Sequence, residues 1–381
     1  MKHIIIQVES VLKYPPTLSL IEILKKIGND IILCTSCIDE SVKKICEDKG
    51  VTLEYIGYSY SPKETPARKM VKIPLINGGI RRILYHNYDT NSVIWVMTSI
   101  TLKYIGNLLY GKKYIMYMYE LSQEIRYYPK LSWPTVNLEK LFHEATAVIE
   151  CEYNRAHIAK AWFGLEKLPY IMPNKPYMER LKPRMDITDS YCKGVINQIA
   201  DKTIIIYQGI IDKERPLAPF IEAVEQLGNE YALVIMSSDV EKLKAIAGKN
   251  TYLLPFVNPP HHLEITSWAS IGILTYVPVR GETTSPLNAV YCAPNKIFEY
   301  AMFGIPMIGN DIPGLKSALV DNKIGKICDT GNREEIIKTI TDINNEYESM
   351  SKHSYSFYEN IDNLKEVLDI IHSKDLDKND N

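Results

Sequence analysis

The 381 residues carry 46% apolar and 24% charged side chains at a formal net charge of −2, the profile of a folded chain without a global pull toward nucleic acid. That length exceeds what one hydrophobic core normally serves, so two domains are expected. The apolar run Ile4 to Ile6 is too short for a signal-peptide core and meets Glu9 at once. No segment approaches the ~18 to 20 apolar residues of a membrane span, so a cytoplasmic protein is expected. Seven scattered cysteines suit a reducing compartment better than a disulfide framework. Cys34 and Cys37 form a CxxC, but no second pair completes a zinc site, and Ile31, Ile32 and Leu33 mark a strand beside it.

Short β-branched runs alternate with helical patterns from the start, the signature of βαβ units around parallel sheets. Strands are expected at His3 to Val8, Asp30 to Cys34, Thr52 to Ile56, Ser92 to Met97, Lys113 to Met118 and Ala145 to Cys151, with helices such as Leu18 to Ile27 and Ser41 to Glu47 between them. Within this half, the stretch from Lys63 to Arg82 holds six cations (Lys63, Arg68, Lys69, Lys72, Arg81, Arg82) against one acid, Glu64, with Ile73, Leu75, Ile76, Ile80, Ile83 and Leu84 in or beside it. Such a patch can rest on anionic lipid; a solvated helix face over a sheet is the plainer reading. The first doubly wound domain is expected over residues 1–175.

Around MPNKPYMERLKPRMD three prolines deny the backbone a continuous helix or central strand, and residues 176–186 read as a linker. Strands then resume at Thr203 to Tyr207, Tyr231 to Met236, Thr251 to Leu254, Ile271 to Thr275 and Ile305 to Ile308. Leu217, Phe220, Ile221, Val224 and Leu227 recur at the steps of one helical face. A second doubly wound domain is expected over 187–345. After Asn332 a long helical stretch runs to about His372, with residues 346–372 able to pack back on the first domain and 373–381 forming a frayed polar tail. The fold class is therefore α/β, with two Rossmann-like domains.

Ligands of such domains sit at the carboxyl ends of the strands, and two turns of the second domain carry suitable residues. In YQGIIDKERP, Gly209 lets a ligand approach the backbone, and Arg215 precedes a helix beginning near Pro216, where its fork and the helix amides can hold phosphate oxygens. A turn glycine followed by a solvated cation reads equally well. In APNKIFEYAMFGIPMIGND, a helix is expected from Pro294 to Gly304, with Asn295, Lys296 and Glu299 on one face near its start. Amide, ammonium and carboxylate together suit a nucleotide sugar, the carboxylate accepting from ribose hydroxyls and Lys296 facing the diphosphate. A surface ion pair is the alternative. His261 and His262 lack the HExxH order of a zinc helix and read as capping or solvent-facing, and no metal site is expected.

The segment PNKIFEYAMFGIPMIGNDIPG resembles the donor signature of GT-B-fold glycosyltransferases, specifically the retaining, family-4-like enzymes of bacterial capsule and surface polysaccharide synthesis. IIIYQGIIDKERPLAPFIEAV resembles their phosphate-loop strand and helix, with Gly209 and Arg215 on matching positions, and VIECEYNRAHIAK and IMPNKPY resemble the end of the first domain and the linker. The likeness spans most of the chain from about residue 112. It implies two Rossmann-like domains facing across a cleft, Glu299 on the donor ribose, retention, and no metal or other cofactor. It also implies that Glu120, in YIMYMYELSQEIR, stands where relatives place an acid beside the reacting sugar; a solvated loop glutamate is the competing reading. Tyr291 and Ile210 replace a glutamate and an arginine of the fuller pattern. The implied activity is hexosyl transfer from a nucleotide sugar to a glycan or lipid-linked glycan; the basic stretch from Lys63 to Arg82 adds an expectation of peripheral contact at the cytoplasmic membrane face, and the charge balance that of no nucleic acid partner. A sugar-nucleotide epimerase of the same architecture and a catalytically silent subunit of an assembly complex are the alternatives.

Overall fold

The computed structural model describes residues 1–59, 64–127, 134–279 and 285–373. Lys63 of the basic stretch, the side chain of Lys69, and the expected tail from residue 374 onward lie outside the described residues. The chain forms two compact units, one built on Met1–Tyr177 and joined by the segment from Asp362, the other lying between Met178 and Ile361.

The first unit holds a parallel sheet of β1 (Lys2–Gln7), β2 (Asp30–Thr35), β3 (Thr52–Tyr55), β4 (Ser92–Met97), β5 (Tyr114–Met118), β6 (Ala147–Glu150) and β7 (Tyr170–Ile171) in the order β3-β2-β1-β4-β5-β6-β7. Both faces are covered, which is why these strands are near-continuous apolar runs and not alternating ones. Along β1 the period of two sends Ile4 and Ile6 to one face, packed with Ile76, Ile80 and Ile83 of the helix Pro66–Asn87. Ile5 goes to the other face, against Leu20 and Leu24 of the helix Pro15–Lys26.

The second unit repeats the plan with β8 (Thr203–Gln208), β9 (Tyr231–Met236), β10 (Thr251–Leu254), β11 (Ile271–Leu274), β12 (Met307–Asn310) and β13 (Gly325–Cys328), ordered β10-β9-β8-β11-β12-β13. Ile204 and Ile206 face one core, while Ile205 and Tyr207 face Phe220 and Val224 of the helix Ala218–Leu227. The strand order reverses between β1 and β4 in the first sheet and between β8 and β11 in the second. Those reversals open a crevice at the strand carboxyl ends. No helix among the described residues is long and apolar enough to cross a membrane.

The long C-terminal helical stretch is present, but only its part from Asp362 joins the first unit, not the whole of residues 346–372. It breaks into helices Arg333–Asn345, Tyr347–Asn360 and Asn363–Ile371. The break before the last has a local cause: Asp362 accepts from the amides of Leu364 and Lys365 and so starts a new helix. Helix Tyr347–Asn360 belongs to the second unit, with Phe357 stacked on Phe298 at 5.8 Å. Helix Asn363–Ile371 belongs to the first, with Val367 and Ile370 buried beside Leu20 and the Asn363 amide donating to the Pro173 carbonyl at 2.8 Å.

One glycine positions the second unit's functional helix. A Cβ on Gly272 of β11 would lie 2.2 Å from the ring of Tyr300, so the bare strand is what lets the helix Asn295–Ala301 settle on the sheet. Gly272→Ala is expected to destabilise the protein by about 1–3 kcal/mol through overpacking, read as a lower urea midpoint at unchanged slope.

Candidate functional site

At the second sheet's reversal, β8 ends in Gln208 and the chain turns at Gly209, whose φ of +129° only glycine adopts readily. A Cβ there would lie 3.7 Å from Lys296 Nζ and 3.8 Å from the Tyr207 hydroxyl oxygen, so the glycine keeps open the space beside the lysine. Its N–H, however, donates to the Met236 carbonyl at 3.1 Å. The residue thus supplies room beside the lysine, with its own amide engaged by the neighbouring strand.

Lys296 and Glu299 lie on the helix Asn295–Ala301, which starts after Pro294 and is followed by Gly304 at φ +67°. Both side chains are buried, at 8% and 7% exposure, which removes the reading of a surface ion pair. The Lys296 ammonium lies over the rings of Tyr207, at 4.3 Å, and Tyr276, at 5.2 Å. Burial, reinforced by the charge of Arg215, lowers its pKa to about 7. Arg215 is no loosely solvated cation: its guanidinium sits 5.2 Å from the Tyr276 ring centre and pairs with Asp212 at 2.6 Å and Glu214 at 3.2 Å. Two cations thus converge beside the opening left by Gly209. Asn295, half-buried, is the first residue of the helix.

Glu299 is held from two sides. Gln208 donates to one carboxylate oxygen at 2.5 Å while its own carbonyl oxygen accepts from the Thr266 hydroxyl at 2.5 Å, and His262 Nε2 lies 3.4 Å from the other oxygen. Burial alone would raise the acid's pKa. The hydrogen bond and charge of His262, the Gln208 bond and the Lys296 charge outweigh it, leaving the pKa below the ordinary value and the group ionised. His262 therefore departs from the solvent-facing role read for the histidine pair; only His261, with 56% of its side chain exposed and bonded to Glu264 at 2.8 Å, faces outward. Gln208, Tyr207, Tyr276 and His262 were missed in the sequence. Gln208 had a local signal, an amide closing an otherwise apolar strand. His262 had none, because its partner is 37 positions away across a tertiary contact.

Glu120 belongs to the first unit, where it is exposed two residues past the end of β5. Its charge helps raise the pKa of two buried acids at the same edge, Glu9 after β1 and Glu150 closing β6, for both of which burial is the main cause. Thr98, at φ +70° immediately after β4, adds a strained β-branched residue at that sheet's reversal. Arg215, Lys296, Glu299 and Gly209 are thus brought together in one unit, and Glu120 stands in the other. Among the described residues no group of three or more His, Cys, Asp or Glu side chains is placed to hold a metal ion. Cys34 and Cys37 are free thiols, Cys34 buried in β2.

The lowered pKa of Lys296 has a sign. Between about pH 7 and the ordinary 10.5 the unfolded chain keeps the proton that the folded chain has lost, so stability rises with pH across that window; below it the full cost of burying the charged group is present and does not vary with pH. Urea titrations of wild type and Lys296→Met at several pH values are expected to show the wild type gaining on the variant by up to about 1.4 kcal/mol per pH unit.

No family model matches the sequence, and no curated protein matches it. Solved structures do match along nearly the whole chain. Anabaena HepE in complex with UDP-glucose superposes with a TM-score of 0.70 at 13% identity over 97% of this chain and 98% of that one. Sucrose-phosphate synthase from Thermosynechococcus elongatus gives 0.64 at 13% over 95% and 94%. A Listeria monocytogenes chain described as a UDP-N-acetylglucosamine 2-epimerase gives 0.61 at 12% over 100% and 97%. Likeness at this identity concerns the fold: the chain has the two-Rossmann-domain α/β architecture known as GT-B.

Proposed function

We propose that the chain is a glycosyltransferase that moves a hexosyl group from a nucleotide-sugar donor to a glycan or lipid-linked glycan acceptor in surface polysaccharide synthesis, with retention at the anomeric carbon. The observation that carries this reading is the buried Lys296 beside Gly209, with the half-buried Arg215 close enough to lower its pKa and an ionised carboxylate one helical turn from the lysine. An ammonium held out of water with a second cation beside it is half-discharged near pH 7, and a diphosphate arriving there would restore its proton and its charge. Lys296 and Arg215 would then stabilise the negative charge that develops on the leaving diphosphate. Their fixed charges supply what a divalent ion would otherwise contribute, so the activity is proposed to be metal-independent and to survive chelation by EDTA. Glu299 has both oxygens partnered but keeps acceptor capacity on each, enough for ribose hydroxyls. Asn295, at the start of the same helix, is proposed to line the donor pocket.

Glu120 is proposed to orient the acceptor or the transferred sugar from the first unit. Anabaena HepE, solved with UDP-glucose and with UDP and glucose, supports the donor class by analogy of fold. The free thiols fit a reducing cytoplasm.

A second reading, a sugar-nucleotide epimerase, draws on the Listeria likeness and on the buried, pKa-raised acids Glu9 and Glu150, which are suited to proton transfer at a sugar ring. Incubating the protein with UDP-, GDP-, ADP- and CMP-sugars with and without acceptor glycans separates the two. Transfer requires both substrates and releases nucleoside diphosphate, whereas epimerisation converts the donor alone. A panel in which no nucleotide sugar raises the melting temperature would remove both readings.

Two further outcomes are expected. Binding of the nucleoside diphosphate at pH 8 should take up protons, seen by calorimetry as a heat that varies with buffer ionisation enthalpy, and Lys296→Met should abolish that dependence. His262→Ala should raise the Glu299 pKa and weaken donor binding by about tenfold, the ~1.4 kcal/mol of a lost hydrogen bond to a charged group, read by titration calorimetry between pH 5 and 8.

A further inference from the structure

We propose that the outward face of the helix Pro66–Asn87 is a docking surface for an anionic lipid bilayer. The helix is anchored on one side only. Ile76, Ile80, Ile83 and Leu84 are buried in the first unit's core, the Asn77 amide donates to the Tyr104 carbonyl at 2.8 Å, and a Cβ on Gly79 would lie 1.8 Å from the Ile56 carbonyl oxygen. At 100° per residue the opposite pole carries Ala67, Val71, Pro74, Gly78, Arg81 and Tyr85. A solvated helix would place polar side chains there. Instead Val71 is 64% exposed and Tyr85 83%, with Met70 and Leu75 exposed on the flanks.

The charge on this face has one sign. The 22-residue helix contains no Asp or Glu, Arg68, Arg81 and Arg82 are exposed, and the nearby Glu64 is already neutralised by an ion pair with Lys72. Between the first turns and Tyr58 lies a shallow groove of about 370 Å³ lined by Tyr58, Ala67, Val71 and Leu75, with Arg68 and the ion-paired Lys72 among its walls. An apolar groove with the Arg68 cation in its wall matches an amphiphile whose phosphate stays outside while its hydrocarbon enters. The outward row from Ala67 to Tyr85 extends ~27 Å along the axis, which suits a plane of phosphates over acyl chains. Single-stranded nucleic acid fits less well, because the side chains between Arg68 and Arg81 are mainly aliphatic and the two exposed tyrosines, Tyr58 and Tyr85, stand at opposite ends of the helix and not in a run for successive bases. This surface is independent of the nucleotide site and needs no assumption about it.

The test is flotation of the full chain with phosphatidylcholine vesicles, with and without phosphatidylglycerol. Wild type is expected to float with the anionic vesicles at low salt, to stay behind with pure phosphatidylcholine, and to be released by high salt. Arg68→Ala combined with Arg81→Ala should weaken the partition about thirtyfold, roughly fivefold for each cation. Val71→Asp should weaken it while leaving its salt dependence in place. Because all three positions are exposed, unchanged melting curves will show that the variants are folded. Wild type remaining soluble beside anionic vesicles at low salt, equal binding to both vesicle types, or folded variants that bind like wild type would each overturn the proposal. The same samples titrated with UDP keep the two ideas apart: a chain that floats but ignores every nucleotide leaves this surface standing and removes the donor reading.

Discussion

A lysine buried in the same pocket as an arginine is the constraint around which the second unit's carboxyl edge is built. Desolvation works against the ammonium, and the neighbouring guanidinium adds to the penalty. Two tyrosine faces compensate in part, and Glu299 in the next turn contributes its field. Glu299 in turn stays ionised because His262, Gln208 and the Lys296 charge hold it against its own burial. The polar groups of β8, of the helix His262–Thr266 and of the helix Asn295–Ala301 thus depend on one another, and removing one leaves another buried without its partner.

The sheets were legible because both of their faces are covered. Full burial forces continuous β-branched runs such as Ile4 to Ile6 and Ile204 to Ile206, and these stand out against the helical periods between them. Edge strands left a weaker trace. β7 is two residues long, and β13 begins with a glycine that is needed because a Cβ on Gly325 would meet the Met307 carbonyl oxygen at 2.2 Å. Composition does not announce a strand whose residues are chosen for close approach. The division of the C-terminal helices was hidden for a related reason, since Phe357 and Val367 look alike as apolar positions and only tertiary packing assigns them to different cores.

At the site, residue types were more legible than their settings. Lys296 and Glu299 could be placed on one helical face from their spacing, yet the same spacing occurs in exposed pairs of little consequence. What distinguishes them is burial, which depends on Gly272 receiving Tyr300. Gly209 was readable as a turn, but the use of its amide by Met236 was not, because that bond depends on β9 lying beside β8 in register.

That amide has a wider consequence. A phosphate cradle of backbone N–H groups fixes each oxygen by direction and discriminates by shape. Where the turn's own amide is spent within the sheet, the groups beside the turn are an ammonium and a guanidinium, which would weigh an anion by its charge more than by its shape. Such a grip would tolerate considerable variety in the group beyond the charge.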